Sequence, residues 1–420
     1  MAAIEFSEET KRQVERIGSA DLVVGIAGTV APDELRGRAE QVVAELGSSL
    51  SSLRIVFAWA GSSGSSAAEN AEEENTGTTR VSLLPYTSLA PASGEFWAGV
   101  SAHQRSILAL AASLNARGCV VMGADLAGLQ PHVLQLFAYA ILDRQCVLAM
   151  PIYPVGKYEG LINTGILSPL SRALFGKRIH YPVAFDFAAS GAMCGHLLRH
   201  SAATNGTGPT LFWPVTLAAT QFPQQAVGQV HVDVHHHVAT DGLDLSAVLG
   251  QILGSLFQEM EQCAPHWQRV RGSQATPVWG NAPTEHLNGE SVDPHPMLDS
   301  FLLGSRSLDE VWRLILPPNV LLELRRLMRL APEQFRLPDD LWAGIVYDFA
   351  LAWRLRTISR VHLLGALTPL YLGWVASYIR EVSKLSGAAL EQRQEQLARA
   401  WEEKKPYLLS RWRWPDRFNP

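Results

Sequence analysis

The stretch that most constrains the fold is residues 147–191, VLAMPIYPVGKYEGLINTGILSPLSRALFGKRIHYPVAFDFAASG. An apolar, strand-like opening from Val147 to Tyr153 meets a turn at Pro154 and Gly156. Apolar residues then recur at Leu161, Ile162, Ile166, Leu167 and Leu170, the spacing of a helix face. Gly176 followed by Lys177 and Arg178 reads as a helix C-terminus, with a glycine stop and basic charge at the negative end of the dipole. A second turn at Pro182 leads to Asp186, a lone carboxylate among Val183, Ala184, Phe185, Phe187 and Ala188. A carboxylate in such surroundings requires a partner or a ligand.

Ahead of this block the chain alternates strand and helix. Residues 8–17 form an amphipathic helix, and Asp21 to Gly28 reads as a buried strand ending in small residues. A helix from Pro32 to Leu46 follows, with proline in its first turn and Asp33 and Glu34 at the positive end of its dipole, and then a strand from Leu53 to Trp59. This is the opening of an α/β nucleotide-binding layer. A helix over 99–114 and a strand over 118–122 continue it, the strand ending in Gly123-Ala124-Asp125. Residues 61–79 are too polar to bury, and Val230, Val232 and Val234 alternate with His231, Asp233 and His235 as in a strand, before His236 and His237. After a long amphipathic helix over 243–262, residues 263–296 are rich in proline, glycine and asparagine without period and read as a linker. From Met297 the pattern is helical nearly to the end, and the stripe of Trp342, Tyr347, Phe349 and Trp353 reads as helix-packing core. The expected division is an N-terminal helix (1–20), an α/β domain (21–262), a linker (263–296) and an all-α C-terminal domain (297–420).

With 420 residues, 47% of them hydrophobic, the chain has ample material for such cores. A net charge of -5 gives no sign of a nucleic-acid partner, and four widely spaced cysteines suit reduced core thiols better than a disulfide framework or a zinc cluster. No apolar run approaches the roughly 18 residues of a transmembrane helix, so the expected setting is the cytoplasm.

The order of the central pieces, Tyr153, then Lys157-Tyr158-Glu159-Gly160, then Asn163-Thr164, then Pro169 to Ile179, then Pro182 to Phe187, resembles the GT-A-fold nucleotide-sugar glycosyltransferases of the glucosyl-3-phosphoglycerate synthase and mannosylglycerate synthase type. The resemblance extends more thinly over 21–256 and 337–382. It implies a Rossmann-like nucleotide-sugar-binding domain followed by helices, assembled as a homo-oligomer, a dimer. The implied activity is transfer of a sugar from a nucleoside-diphosphate donor to a small hydroxylated acceptor, such as a glycerate-type acid, with retention and with a divalent ion, Mg or Mn. It further implies donor contacts at Gly28, Gly61, Ser62, Asp125, Tyr153 and Lys157, metal ligands at Asp125 and His237, and catalytic or acceptor-side roles for Asp186, Asn163 and Thr164. Hard oxygen ligands at a strand end suit an ion that bridges two phosphates.

Several of these have a plainer alternative: a helix N-cap near Pro131 for Asp125, a surface cation for Lys157, a helix-start hydrogen bond for Asn163, and a solvated strand face for the histidines. The family's motifs are also eroded. Ala58-Trp59-Ala60-Gly61-Ser62 stands where relatives have Asp-Gly-Gly-Ser, Gly99-Val100-Ser101 where they have Gly-Lys-Gly, and Gly123-Ala124-Asp125 where they have Asp-x-Asp. Each change removes a charge that would hold or neutralise a diphosphate. Two further functions therefore stand beside the metal-dependent transferase. One is an enzyme with a changed, metal-independent donor site, and the other is a catalytically inactive descendant that binds sugar or nucleotide or regulates an active partner.

Overall fold

The computed structural model describes residues 6–45, 52–61, 74–76, 79–87, 96–123, 125–203, 211, 213–233, 244–282 and 291–415. The chain forms two compact units, one of Met1–Pro154, Tyr181–Val238 and Ala275–Pro283, the other of Val155–His180, Ala239–Gln274 and Thr284–Pro420. In chain order the helices are α1 (Glu8–Ile17), α2 (Pro32–Glu45), α3 (Phe96–Ser113), α4 (Pro131–Ala138), α5 (Ser168–Phe175), α6 (Gly191–Ala203), α7 (Pro214–Gln221), α8 (Leu245–Gln262), α9 (Ala264–Trp267), α10 (His295–Ser307), α11 (Asp309–Ile315), α12 (Pro318–Leu327), α13 (Asp339–Leu355), α14 (Arg360–Val382) and α15 (Gly387–Arg413). None of them is long and apolar enough to cross a membrane.

The first unit is an α/β layer. Its strands are β1 (Leu22–Thr29), β2 (Arg54–Ala60), β3 (Glu74–Thr76), β4 (Thr79–Tyr86), β5 (Gly118–Gly123), β6 (Leu148–Ile152), β7 (Phe187–Ser190), β8 (Val227–His231) and β9 (Val278–Trp279). They make one nine-stranded sheet in the order β9-β8-β6-β7-β5-β1-β2-β4-β3. The pairs β1–β2, β1–β5, β2–β4, β6–β8 and β8–β9 are parallel, while β7 runs antiparallel to both β5 and β6 and β3 antiparallel to β4. β1 and β5 are buried almost throughout, which explains their unbroken apolar sequence: strands covered on both faces lose the polar alternation. α3 lies so close on β1 that a Cβ at Gly25 would fall 2.2 Å from the Ile107 side chain. Cys119, Cys146 and Cys194 are buried free thiols, as the spacing led us to expect. The short edge strand β9 arises within the stretch read as a linker, where Val278 and Trp279 add to β8.

The second unit is helical. α10 and α8 pack on α14, and α13 and α5 pack on α15. α5 ends at Gly176 in the left-handed conformation (φ 71°), whose N–H caps the Arg172 carbonyl, so the glycine stop expected there is realised. Trp342, Tyr347, Phe349 and Trp353 are all buried. Trp342 stacks on Trp374 at 5.8 Å between ring centroids, and Trp374 on Tyr378 at 5.1 Å. The Trp342 indole N–H donates to the Gly165 carbonyl at 2.8 Å. At the end of α15, Trp412 is buried against Trp267, whereas Trp414 is 60% exposed.

Candidate functional site

Strand order locates the site. From β1 the chain passes through α2 to β2 and on to β4 on one flank, then returns through α3 to β5 on the other flank of β1. Such a reversal makes a topological switch point, and ligands of open α/β sheets bind outside the carboxyl ends of the strands there. Because β7 opposes both β5 and β6, the carboxyl ends of β1, β2, β5, β6 and β8 all lie along one edge, together with the start of β7. Gly28, Gly61, Asp125, Tyr153 and Asp186 all occupy that edge.

At the end of β1 the register with β2 slips, from Ile26 opposite Trp59 to Thr29 opposite Ala60, and Gly28 lies within this bulge. The Ile26 carbonyl accepts from the Tyr86 phenol at 2.7 Å, and the same phenol lies 3.2 Å from Nδ1 of His103. Burial pushes the Tyr86 phenol above its ordinary value and the His103 imidazole below its own. Next along the edge, the Gly61 N–H donates to the Tyr86 carbonyl at 3.1 Å. Ser62, the neighbouring donor-site candidate, lies outside the described residues.

Asp125 follows β5 and is exposed. Its Oδ1 accepts from the Ala127 N–H at 2.8 Å and caps a single 3₁₀ turn, Leu126–Gly128. The helix-cap alternative thus takes a different form from the one expected: α4 begins after Gln130 without any side-chain cap, and Asp125 caps the turn that precedes it.

Asp186 is 1% exposed and well partnered. Its Oδ1 accepts from the Gly123 N–H at 2.7 Å and its Oδ2 from the Tyr153 phenol at 2.6 Å, while its own N–H donates to the Tyr153 oxygen at 3.2 Å. Burial, reinforced by this carboxylate, holds the Tyr153 phenol well above its ordinary value. The segment that delivers Asp186 is anchored by α3: the Gln104 side chain donates to the Ala184 carbonyl at 3.1 Å, and the Trp97 ring stacks on Phe185 at 5.3 Å. Tyr86, His103 and Gln104 escaped the sequence analysis. The one signal was the adjacent polar pair His103-Gln104 in a first half of α3 made otherwise of small or apolar residues.

At the end of β8, Asp233 pairs with Nε2 of His132 at 2.6 Å, both groups being exposed. His237 lies outside the described residues. Among the described residues no three His, Cys, Asp or Glu side chains gather as a metal site requires. The exposed carboxylates described at this edge are Asp125, one oxygen of which already serves as a cap, and Asp233, which pairs with His132.

Lys157, Asn163 and Thr164 belong to the second unit. Lys157 donates to the Ser383 carbonyl at 2.6 Å, just past the C-terminus of α14. Asn163 opens a π-helical turn, Asn163–Leu167, and its amide donates to the His180 carbonyl. The Asn163 Oδ1 is buried and has no hydrogen-bond partner among the described residues. Thr164 donates its N–H to the Gly160 carbonyl at 3.0 Å.

No family model matches the chain, and no curated protein does. Among solved structures, it is similar to glucosyl-3-phosphoglycerate synthase from Mycobacterium tuberculosis in complex with Mn2+, uridine-diphosphate-glucose and phosphoglyceric acid, at 14% identity over 60% of this chain and 84% of that chain, with a TM-score of 0.36. The same enzyme in complex with Mn2+, uridine-diphosphate-glucose and glycerol 3-phosphate gives the same four figures. A further mycobacterial protein is 15% identical over 60% of this chain and 77% of its own, again with a TM-score of 0.36.

Proposed function

We propose that this protein is a nucleotide-sugar glycosyltransferase, cytoplasmic and homo-oligomeric, that moves a sugar from a nucleoside diphosphate to a small hydroxylated acceptor with retention of configuration. The observation that supports this best is the gathering of Gly28, Gly61, Asp125 and Tyr153 on the carboxyl edge beside the β1/β5 switch point. Gly28 and Gly61 enter as backbone contacts for a diphosphate on the sequence resemblance, and Asp125 is an exposed acid on the same edge. Asn163 and Thr164 enter as hydroxyl contacts. For Asn163 the support is the buried amide oxygen that meets no donor among the described residues, since a buried acceptor of this kind awaits one. Lys157 enters as a phosphate contact on the sequence resemblance, although its ammonium caps a helix end.

Asp125 and His237 enter as ligands of a divalent ion, Mg or Mn, on the sequence resemblance, and no step is derived through that ion. The same gathering of residues also favours a second reading, a catalytically inactive protein that binds sugar or nucleotide, or regulates an active partner. Calorimetric titration with UDP, GDP and ADP, each with Mn2+, with Mg2+ and in chelator, separates the two when paired with a transfer assay on the corresponding nucleotide sugars. Nucleotide binding with sugar release to a glycerate-type acceptor supports the transferase. Binding without release supports the second reading, and no heat with any nucleotide sinks both.

A further inference from the structure

We propose that Asp186 is a positioning residue whose carboxylate clamps the end of β5 to Tyr153 and so sets the turn that carries Asp125. Its use in donor binding rests on the function proposed above; the clamp itself does not. β7 pairs with β5 from Gly118 opposite Ser190 to Val121 opposite Phe187 and then ends, whereas β5 runs on to Gly123. Beyond Val121 the strand pairing with β7 does not continue, and a buried N–H there is costly unless something takes the place of that pairing. Oδ1 of Asp186, the residue just ahead of β7, is the replacement at 2.7 Å.

Oδ2 holds the phenol of Tyr153, which follows the end of β6, and the return bond from the Asp186 N–H to that phenol oxygen closes a two-way link. One side chain therefore ties together the ends of β5 and β6 and the start of β7. Two donors converge on it, so the position calls for an acceptor-only group; an asparagine would turn an N–H toward one of them. A carboxylate held by both oxygens in a site 1% exposed is placed to fix its neighbours, not to meet a substrate. Gly123 is two residues ahead of Asp125, whose cap to Ala127 shapes the following turn, so slack at Gly123 passes directly to the exposed acid.

The experiment compares wild type, Tyr153→Phe, Asp186→Asn and the double variant by hydrogen exchange at the Gly123 and Ala127 amides. Nucleotide affinity is measured in parallel with whichever of UDP, GDP or ADP the wild type binds most tightly. Loss of one buried hydrogen bond should speed exchange at Gly123 and Ala127 about tenfold in either single variant. Nucleotide affinity should fall by a similar factor, and the double variant should be little worse than Asp186→Asn because the two residues act as one clamp. Tyr153→Phe keeps the volume of the core and stands in if Asp186→Asn does not fold. Unchanged exchange at both amides overturns the clamp, as does a collapse of kcat with unaltered exchange and affinity in Asp186→Asn, which would mark the carboxylate as chemical. A wild type that binds none of the nucleotides defeats the proposed function, and the exchange comparison still decides the clamp.

Discussion

Asp348 offers the sharpest pH-dependent test. It lies on α13 facing α15 and is 1% exposed. Its carboxylate accepts from the Tyr407 phenol at 2.7 Å and lies 3.0 Å from the Arg411 guanidinium. Burial nevertheless dominates: it pushes the carboxyl from 3.8 up to about 7, against the opposing pull of Arg411, Tyr407 and Lys404. The sign follows from linkage. A carboxyl whose folded pKa is raised contributes stability that is fully present below the unfolded pKa, near 4, and lost as pH rises through about 7. At about 1.4 kcal/mol per pH unit, the loss amounts to about 2.5 kcal/mol between pH 5 and 8 and levels off above that. Asp348→Asn keeps an acceptor for Tyr407 and carries no charge at any pH, so the other titrating groups cancel in the comparison. Urea unfolding of both proteins from pH 5 to 8 should show the stability of wild type relative to the variant falling by that amount. A difference that is flat, or that grows with pH, refutes the reasoning and means that Arg411 keeps the carboxylate ionised at low cost.

Three further outcomes are expected. Gly165→Ala would set a Cβ 2.3 Å from the Trp374 ring, so it should cost about 1–3 kcal/mol and lower the thermal midpoint; an unchanged midpoint would show that the tryptophan moves freely aside. Arg393 binds both oxygens of Asp339, at 2.8 and 2.9 Å, and Glu381 at 2.7 Å, with the guanidinium buried, so Arg393→Met should destabilise by about 3 kcal/mol by taking the guanidinium from Asp339 and leaving Glu381 to Arg336 and Ser377. Adding Asp339→Asn and Glu381→Gln should recover more than half of that loss, and no recovery would mean that the arginine contributed packing alone. Asp125→Ala removes one cap, about 1 kcal/mol, yet should weaken nucleotide binding well beyond its effect on the thermal midpoint; calorimetry showing equal affinity would remove Asp125 from the donor site.

The sheet was legible wherever burial on both faces turned a strand into a continuous apolar run. β1, β2, β5 and β6 are such runs, and the small or turn residues that end them mark the carboxyl edge. β7 was not legible as a strand, since Phe187–Ser190 is four residues long and follows a proline turn, with no periodicity to read. β9 was hidden for a similar reason: two residues flanked by proline and glycine join the edge because β8 offers its free side, a tertiary cause that local composition does not carry. Helix α10 starts at His295 with a proline in its first turn, and its sequence ran on from the proline-rich stretch before it. Its buried positions, Leu298 and Phe301 followed by Gly304 and Ser305, mix large and small residues because α14 comes close: a Cβ at Gly304 would fall 2.4 Å from Pro369.

Side-chain pairing obeys a different logic, and Asp186 shows why. An acid in an apolar run is visible as an anomaly, because elementary solvation requires that something compensate it. What compensates it is not visible: Tyr153 is 33 residues away and Gly123 63 away, and they meet only because an antiparallel strand is inserted between β5 and β6. Lys157 is the converse case. A lysine in a glycine-flanked loop reads as a free cation for phosphate, yet its ammonium lies at a helix end more than two hundred residues on, where the carbonyls past α14 accept from it. The pattern of apolar residues therefore identifies the edge where a ligand site can form, while the availability of each polar group on that edge depends on contacts between distant segments. For this chain the distinction is concrete: among the described residues Asp125 is exposed and Asp186 is buried, so the two acids beside the β1/β5 switch point differ in what can reach them.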